Sequence, residues 1–441
     1  MNKGSFWALL PLILFVVIYF AGSYILGDFY ALPVLVVFVI ALFVAFFQFP
    51  KKNFNEKLAS FAKGSGDENI LIMILIFLLA GAFGELSKNI GAISSTINFA
   101  LTYIPPQFVI AGLFLVSCFI STSLGTSVGT IVALAPIAVG LEENIAGIMP
   151  IALASVIGGS MFGDNLSFIS DTTIAATRTQ NVAMKEKFRV NFKLVLPVAI
   201  IVMIIYGLQG FNMLNNAHDM QIGDYELIKI LPYIIVFILA LSGLSVIWTL
   251  GVGILSAAII GISTGSIDFL SILKSINDGF AGMFELSILC LIIGGVVGII
   301  RMNGGIDYLL HVVTKKINSK KRAELSIAFL VSLVNLAIAN NTITIVIVGP
   351  IAKDISDENG LNGGRVASIL DTISCFIQGL VPYGAQILAA LAAANVVLSE
   401  EGKTLLSPID IMQYLYYPVL MGLVAFLFII FRKDKKEAQL T

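Results

Sequence analysis

The sequence predicts an all-α integral membrane protein with about ten transmembrane helices plus two re-entrant hairpins, in two inverted-topology repeats with broken helices. Three observations lead there: a charge-poor composition, long apolar runs interrupted by polar clusters, and a repeat whose flanking charges change sides. Of 441 residues, 58% are hydrophobic and 12% charged, against roughly 45–50% and 25% in a soluble domain. Lys+Arg 26 nearly cancel Asp+Glu 27, which excludes nucleic acid as a partner, since a polyanion is bound by a basic excess. Residues 89–141, 230–267, 325–352 and 372–399 contain no Asp, Glu, Lys or Arg. Each can hold at least one span of about 20 residues, so the expected partner is the lipid bilayer.

In chain order, the apolar runs are 6–26, 30–49, 69–88, 107–141, 150–177, 194–209, 228–244, 246–264, 284–302, 325–353, 366–398 and 413–431. They read as helices, because lipid leaves the backbone no outside hydrogen-bond partner and the runs lack the alternation of barrel strands. The run at 6–26 has no small-residue cleavage site and is followed at once by another, so it reads as a first span and not a signal peptide. The longest runs carry polar residues midway. Those at 107–141 and 325–353 are expected to be re-entrant hairpins, and those at 150–177 and 366–398 broken helices.

Sliding the chain by 214 residues places Gly81, Gly84 and Gly91 on Gly295, Gly298 and Gly305. The same offset places Thr130, Ile131, Val132, Pro136, Ile137 and Ala138 on Thr344, Ile345, Val346, Pro350, Ile351 and Ala352. With one residue dropped, Ala154 and Ser155 meet Ala367 and Ser368. A mid-membrane proline at a shared offset marks a duplication, with repeats at 1–213 and 214–441.

The loop charges orient the halves. Lys51, Lys52, Lys57 and Lys63 face a counterpart loop holding only Lys274, whereas the uncharged segment 99–111 faces Lys315, Lys316, Lys320, Lys321 and Arg322. Arg178, Lys185, Lys187, Arg189 and Lys193 face Glu400, Glu401 and Lys403. Under the positive-inside rule the equivalent loops lie on opposite sides, so the repeats are inverted. The expected topology in the cell inner (plasma) membrane has both termini cytoplasmic. Lys52, Lys187, Lys320 and Lys435 then lie inside, and Lys403 and Asp219 outside.

Polar atoms at membrane depth mark the candidate site. The first hairpin carries hydroxyls and glycines at 121–130, including Thr126 and Ser127, and the second carries Asn335, Asn340, Asn341, Thr342 and Thr344. Irregular backbone at that depth lines a cavity or is buried in protein. Gly163-Asp-Asn-Leu-Ser-Phe-Ile-Ser-Asp-Thr-Thr173 places Asp164 and Asp171 seven residues apart, on one helical face or flanking a break. A mid-membrane Asp costs about 2.5–3.5 kcal/mol, which favours a functional role. The second half offers Asp371, Thr372, Ser374, Gln378, Pro382 and Gln386, with a single acid. Carboxylates, amides, hydroxyls and freed carbonyls suit a small hard cation, and Na+ and H+ can compete for one carboxylate. The expected ion or substrate ligands are Thr126, Ser127, Asp164, Asn165, Ser167, Asp171, Thr172, Asn340, Asn341, Thr342, Asp371 and Gln378. Among them Asp164, Asn165 and Asp171 would hold Na+. Helix N-termini at the hairpin tips also suit the carboxylate of a small organic solute.

The segment at 163–173 resembles the signature of the NhaC family of Na+/H+ antiporters, within the ion transporter superfamily of paired hairpins and broken helices. The likeness in layout covers most of the chain, and the specific match lies between about residues 120 and 195; the family motif has proline where this chain has Phe168. The resemblance implies a secondary transporter exchanging Na+ for H+ by alternating access, with relatives that carry malate and lactate or amino acids. Na+- or H+-coupled movement of a small organic acid or amino acid is the alternative. No cofactor is expected beyond Na+ and H+ as transported or coupling ions, and a homodimer is compatible with the sequence.

Other signals carry less. Gly125-Thr-Ser-Val-Gly129 matches a nucleophile elbow only in spelling, without its strand-to-helix setting, and the two histidines, His218 and His311, read as loop residues on opposite sides. No enzyme is therefore expected. A passive channel fits inverted repeats with broken helices less well than alternating access does. Cys118, Cys290 and Cys375 lie in apolar runs without metal-knuckle spacing and read as packing residues.

Overall fold

Every regular element among the described residues is a helix. The computed structural model describes residues 4–26, 32–167, 170–214, 223–242, 244–313, 319–400 and 402–431. The first half holds α1 Leu10–Leu26, α2 Val34–Phe47, α3 Phe54–Ser65, α4 Glu68–Asn89, α5 Ala92–Tyr103, α6 Val109–Leu124, α7 Ser127–Gly140, α8 Met149–Leu166, α9 Asp171–Gln180 and α10 Met184–Leu214. The second holds α11 Leu227–Leu241, α12 Val246–Ser263, α13 Phe269–Gly282, α14 Phe284–Met302, α15 Gly305–Val313, α16 Lys320–Ile338, α17 Asn341–Glu358, α18 Gly363–Leu380, α19 Ala385–Glu400, α20 Pro408–Met412 and α21 Tyr416–Ile430. Among the described residues, five helical stretches are long and apolar enough to cross a bilayer, including Met184–Met213 and Gly363–Glu400.

The expected interruptions are present. In the first hairpin Gly125 takes φ 70, Thr126 is extended, and its hydroxyl accepts the Gly129 N–H at 3.3 Å to start α7. In the second, Ala339 takes φ 52 and Asn340 Oδ1 accepts the Ile343 N–H at 2.9 Å to start α17. Each break thus uses a left-handed residue to end one arm and a polar N-cap to start the next. Further along, α8 stops at an extended Ser167 and α9 starts after an extended Ser170, while α18 stops at an extended Val381 before α19.

Glycine brings the central helices together. A Cβ on Gly159 would stand 2.3 Å from Phe114 O, and one on Gly163 2.6 Å from Cys118 O. This four-residue spacing of small residues lets α8 seat directly on the backbone of α6. The halves interlock in the same manner: a Cβ on Gly64 of α3 would meet Gly294 O of α14 at 2.2 Å, and one on Gly279 of α13 would meet Gly81 O of α4 at 2.4 Å. Both α8 and α18 are buried along most of their length, and α18 turns its polar stripe of Ser368, Asp371 and Gln378 into the protein rather than to solvent.

Several segments differ from expectation. The stretches read as loops around Lys57, Lys274 and residues 99–103 are helical, in α3, α13 and α5. α3 and α5 are too short to cross, whereas α13 runs with α14 through the apolar stretch Phe269–Met302; α5 meets the following helix at 113°, where Pro105 and Pro106 prevent continuation. Lys57 is not a solvated loop charge: it is buried, and its ammonium caps the C-terminus of α2 through Phe46 O at 2.7 Å and Gln48 O at 2.5 Å. His311 sits on α15 rather than in a loop. Phe168, His218, Asp219, Lys315, Lys316, Glu401 and Lys435 lie outside the described residues.

Candidate functional site

The two hairpin tips and the two helix breaks meet around one cavity with about 710 Å³ of empty space. Gly125 and Ala339, Thr126 and Asn340, Ser127 and Asn341, Asp164 and Gln378, Asp171 and Ala385, and Thr172 and Gln386 all line it. Each pair is 214 residues apart, the offset that matches Thr130 to Thr344, whereas the sequence match of Ala154 and Ser155 to Ala367 and Ser368 runs at 213. At that spacing the carboxylate Asp164 pairs with the amide Gln378, and the cavity wall is asymmetric in charge. Among the described residues lining it, only Asp164 and Asp171 are charged.

Asp164, in the last turn of α8, is buried and fully engaged. Ser170 Oγ donates to Oδ1 at 2.5 Å and Ser127 Oγ donates to Oδ2 at 3.0 Å. Behind Ser127 the donors continue into the second half: Gln386 Nε2 donates to Ser127 Oγ at 3.1 Å, and Gln378 Nε2 donates to Gln386 Oε1 at 3.1 Å and to Ala339 O at 2.8 Å. The donations from Gln378 to Gln386, from Gln386 to Ser127 and from Ser127 to Asp164 all run toward the carboxylate, which suits an ionised acceptor. Two charge-assisted bonds of roughly 1.5–3 kcal/mol each offset the cost of a carboxylate at this depth. Gln378 Oε1 is buried without a hydrogen-bond partner, leaving an acceptor oxygen in the cavity wall.

A second acid lies behind this wall. Asp371 Oδ2 is 2.6 Å from Lys187 Nζ, and both side chains are 1% exposed. The same ammonium donates to Asn165 O at 2.9 Å and Thr173 Oγ1 at 2.6 Å. Asn191 Nδ2 donates to Asp371 Oδ2 at 2.9 Å and to Asn165 O at 3.0 Å, and Ser368 Oγ donates to Asn191 Oδ1.

Of the expected ligands, Thr126, Ser127, Asp164, Asp171, Thr172, Asn340, Asn341, Thr342 and Gln378 come together at the cavity. Three do not. The Asn165 amide points away, with Nδ2 donating to Met161 O at 3.0 Å and to Tyr417 Oη at 3.3 Å, because neighbours on a helix diverge by about 100° and Asp164 already takes the cavity side. Ser167 is buried outside the lining. Asp371 lies seven residues before Gln378 on α18, about 10 Å along the helix, and is turned to Lys187. Asp171 is exposed to the cavity in the first turn of α9, where a carboxylate also complements the helix N-terminus.

Lys187, Asn191, Ser170 and Gln386 are the participants missing from the expected set. The signal for Lys187 was one of phase. Lys185, Arg189 and Lys193 recur every four residues and are exposed, whereas Lys187 and Asn191, also four apart, are buried on the opposite face of α10. Counting Lys187 among cytoplasmic loop charges was an error.

The profile of the Na+/H+ antiporter family matches residues 4–211 and 222–433. The chain belongs to that family. Like other members of the Na+/H+ antiporter family it is a multi-pass membrane protein and a secondary transporter. The chain is 25% identical to the Na(+)/H(+) antiporter NhaC of Bacillus subtilis, over 77% of this chain and 80% of that one. It is 24% identical to the arginine/ornithine antiporter ArcD of Halobacterium salinarum, over 71% and 70%. With the malate-2H(+)/Na(+)-lactate antiporter of Bacillus subtilis it shares 22% identity over 72% and 74%.

Proposed function

We propose that this antiporter exchanges Na+ for H+ by letting the two cations compete for Asp164 in the central cavity. The observation that carries the reading is that Asp164, on the first half, is held by a donor chain reaching from the second half, through Ser127, Gln386 and Gln378. A rocking motion between the halves therefore changes the environment of the carboxylate. When Na+ binds, Asp164, Asp171, the Gln378 carbonyl oxygen and the hydroxyls of Thr126 and Thr172 are the oxygens available to it. Asn340, Asn341 and Thr342 face the same space from the second half. When H+ binds, Asp164 becomes neutral and the cation is released. Because one carboxylate takes either ion, flux in one direction requires counterflux in the other.

The halves 1–213 and 214–441 are read as inverted repeats around this cavity. The cavity-lining pairs at one offset support this, as do contacts between the halves. Lys52 Nζ donates to Met302 O at 2.8 Å, joining two ends expected inside, whereas Lys88 pairs with Glu400 at 2.5 Å and Asn89 Nδ2 donates to Ser275 Oγ at 2.8 Å, joining ends expected outside. A further cavity, of about 1180 Å³ of empty space, lies on the side expected to be cytoplasmic and shares Ala339, Asn340 and Ala385 with the central one. This favours an inward-open arrangement.

The test is purified protein in liposomes containing a pH dye. A Na+ pulse moves protons in the absence of any organic solute if the reading holds. A pulse that moves none, while arginine, ornithine, malate or lactate is taken up, overturns it in favour of solute transport.

A further inference from the structure

Lys187 and Asp371 take no part in the exchange just described, yet the oxygens around the lysine form more than a simple ion pair. The ammonium is held by a carboxylate oxygen, a hydroxyl oxygen and a backbone carbonyl oxygen freed where α8 stops, at 2.6, 2.6 and 2.9 Å. Those are the oxygen types a hard monovalent cation takes. Two of the three, Asp371 Oδ2 and Asn165 O, are also bonded to Asn191 Nδ2. Asn191 is itself buried and fixed by Ser368. The acceptors are therefore held by a neutral amide as well as by the lysine, and they keep a scaffold when the lysine is removed.

We infer that Lys187 is a tethered cation: its ammonium fills an oxygen-lined cation site made by Asp371, Thr173 and the Asn165 carbonyl. The lysine thereby confines exchangeable Na+ to the Asp164 cavity. A compact, permanently attached charge at this site neutralises Asp371 without entering the transport cycle. Shortening the side chain leaves a buried carboxylate that must find another cation, since an unpaired buried charge is strongly disfavoured. The inference rests on the reading of the chain as a Na+ carrier only for the choice of probe.

Equilibrium binding of radioactive sodium to the purified full-length protein tests it. Lys187→Ala is expected to bind one Na+ per chain more than wild type, and Lys187→Ala/Asp371→Asn to lose that additional ion. Thermal melting supplies a second readout: Na+ in place of choline stabilises Lys187→Ala more than it stabilises the wild type. Folded Lys187→Ala that binds no additional Na+ overturns the inference. So does a variant that misfolds equally in sodium and in choline, because the pair then serves only to hold the helices. Asp164→Asn separates the two proposals. It removes the wild-type Na+ and leaves the Lys187→Ala gain in place, so failure at one site is not read as failure at the other.

Discussion

At Asp164 the chemistry depends on one charge held by two hydroxyls. Asp164→Asn keeps the shape and loses the group over which Na+ and H+ are proposed to compete, so Na+-driven proton movement in liposomes should be abolished and the pH profile flattened. The detergent melting temperature should stay within a few degrees of wild type. Wild-type exchange in a folded Asp164→Asn protein would refute the site. Gln378→Leu makes a finer test, because Gln378 Oε1 is a buried acceptor without a partner at the cavity. Losing one ligand oxygen should weaken apparent Na+ affinity about tenfold, equivalent to about 1.4 kcal/mol. An unchanged half-saturation would remove Gln378 from the ligand set. Asp171→Asn should have a smaller effect than Asp164→Asn, since Asp171 is exposed to the cavity and sits at a helix N-terminus that welcomes its charge.

Helix contacts decide whether the breaks stay aligned. Because a Cβ on Gly159 would lie 2.3 Å from Phe114 O, Gly159→Val must push α8 off α6. That should destabilise the protein by at least the roughly 1–3 kcal/mol of an overpacked core and lower its melting temperature. Gly112, on α6, has nothing within 4 Å of an added Cβ, so Gly112→Ala should be neutral or stabilising by about 0.5–1 kcal/mol. Equal losses in the two variants would show that α8 does not rely on close approach. The hairpin breaks are legible in the sequence because hydroxyls, amides and glycines interrupt apolar runs too long for one crossing, which is a local feature. The short helices α3, α5 and α13 were not. They are only twelve to fourteen residues long, and helices of that length are held by packing on distant helices rather than by propensity alone.

Across the whole molecule, the proposed inversion of the two halves predicts which exposed positions share a side of the membrane. Cysteines placed at Lys321 and Lys403, both exposed, should react from opposite faces of intact cells, with position 403 open to an impermeant reagent and position 321 protected. Labelling of 321 but not 403 from outside would invert the proposed topology, and labelling of both would remove the inverted relation. The asymmetry between the halves also has a consequence at this scale. Both halves line the central cavity, and among its described lining residues the carboxylates, Asp164 and Asp171, come from the first.

The sequence by itself determined the membrane class, the positions of the four interruptions, and the segment 163–173 that carries the family likeness. These are written in composition and local spacing, because lipid forces helices and polar residues at depth need a reason. Only the tertiary structure decided which polar groups meet. It turned Asn165 toward Tyr417, joined Gln386 to Ser127 across 259 positions, and placed Lys187 against Asp371 across 184 positions. A lysine in a basic run looks the same whether it faces water or a buried acid. The difference lies in which helix packs against its face, and that is fixed by contacts far away in the chain.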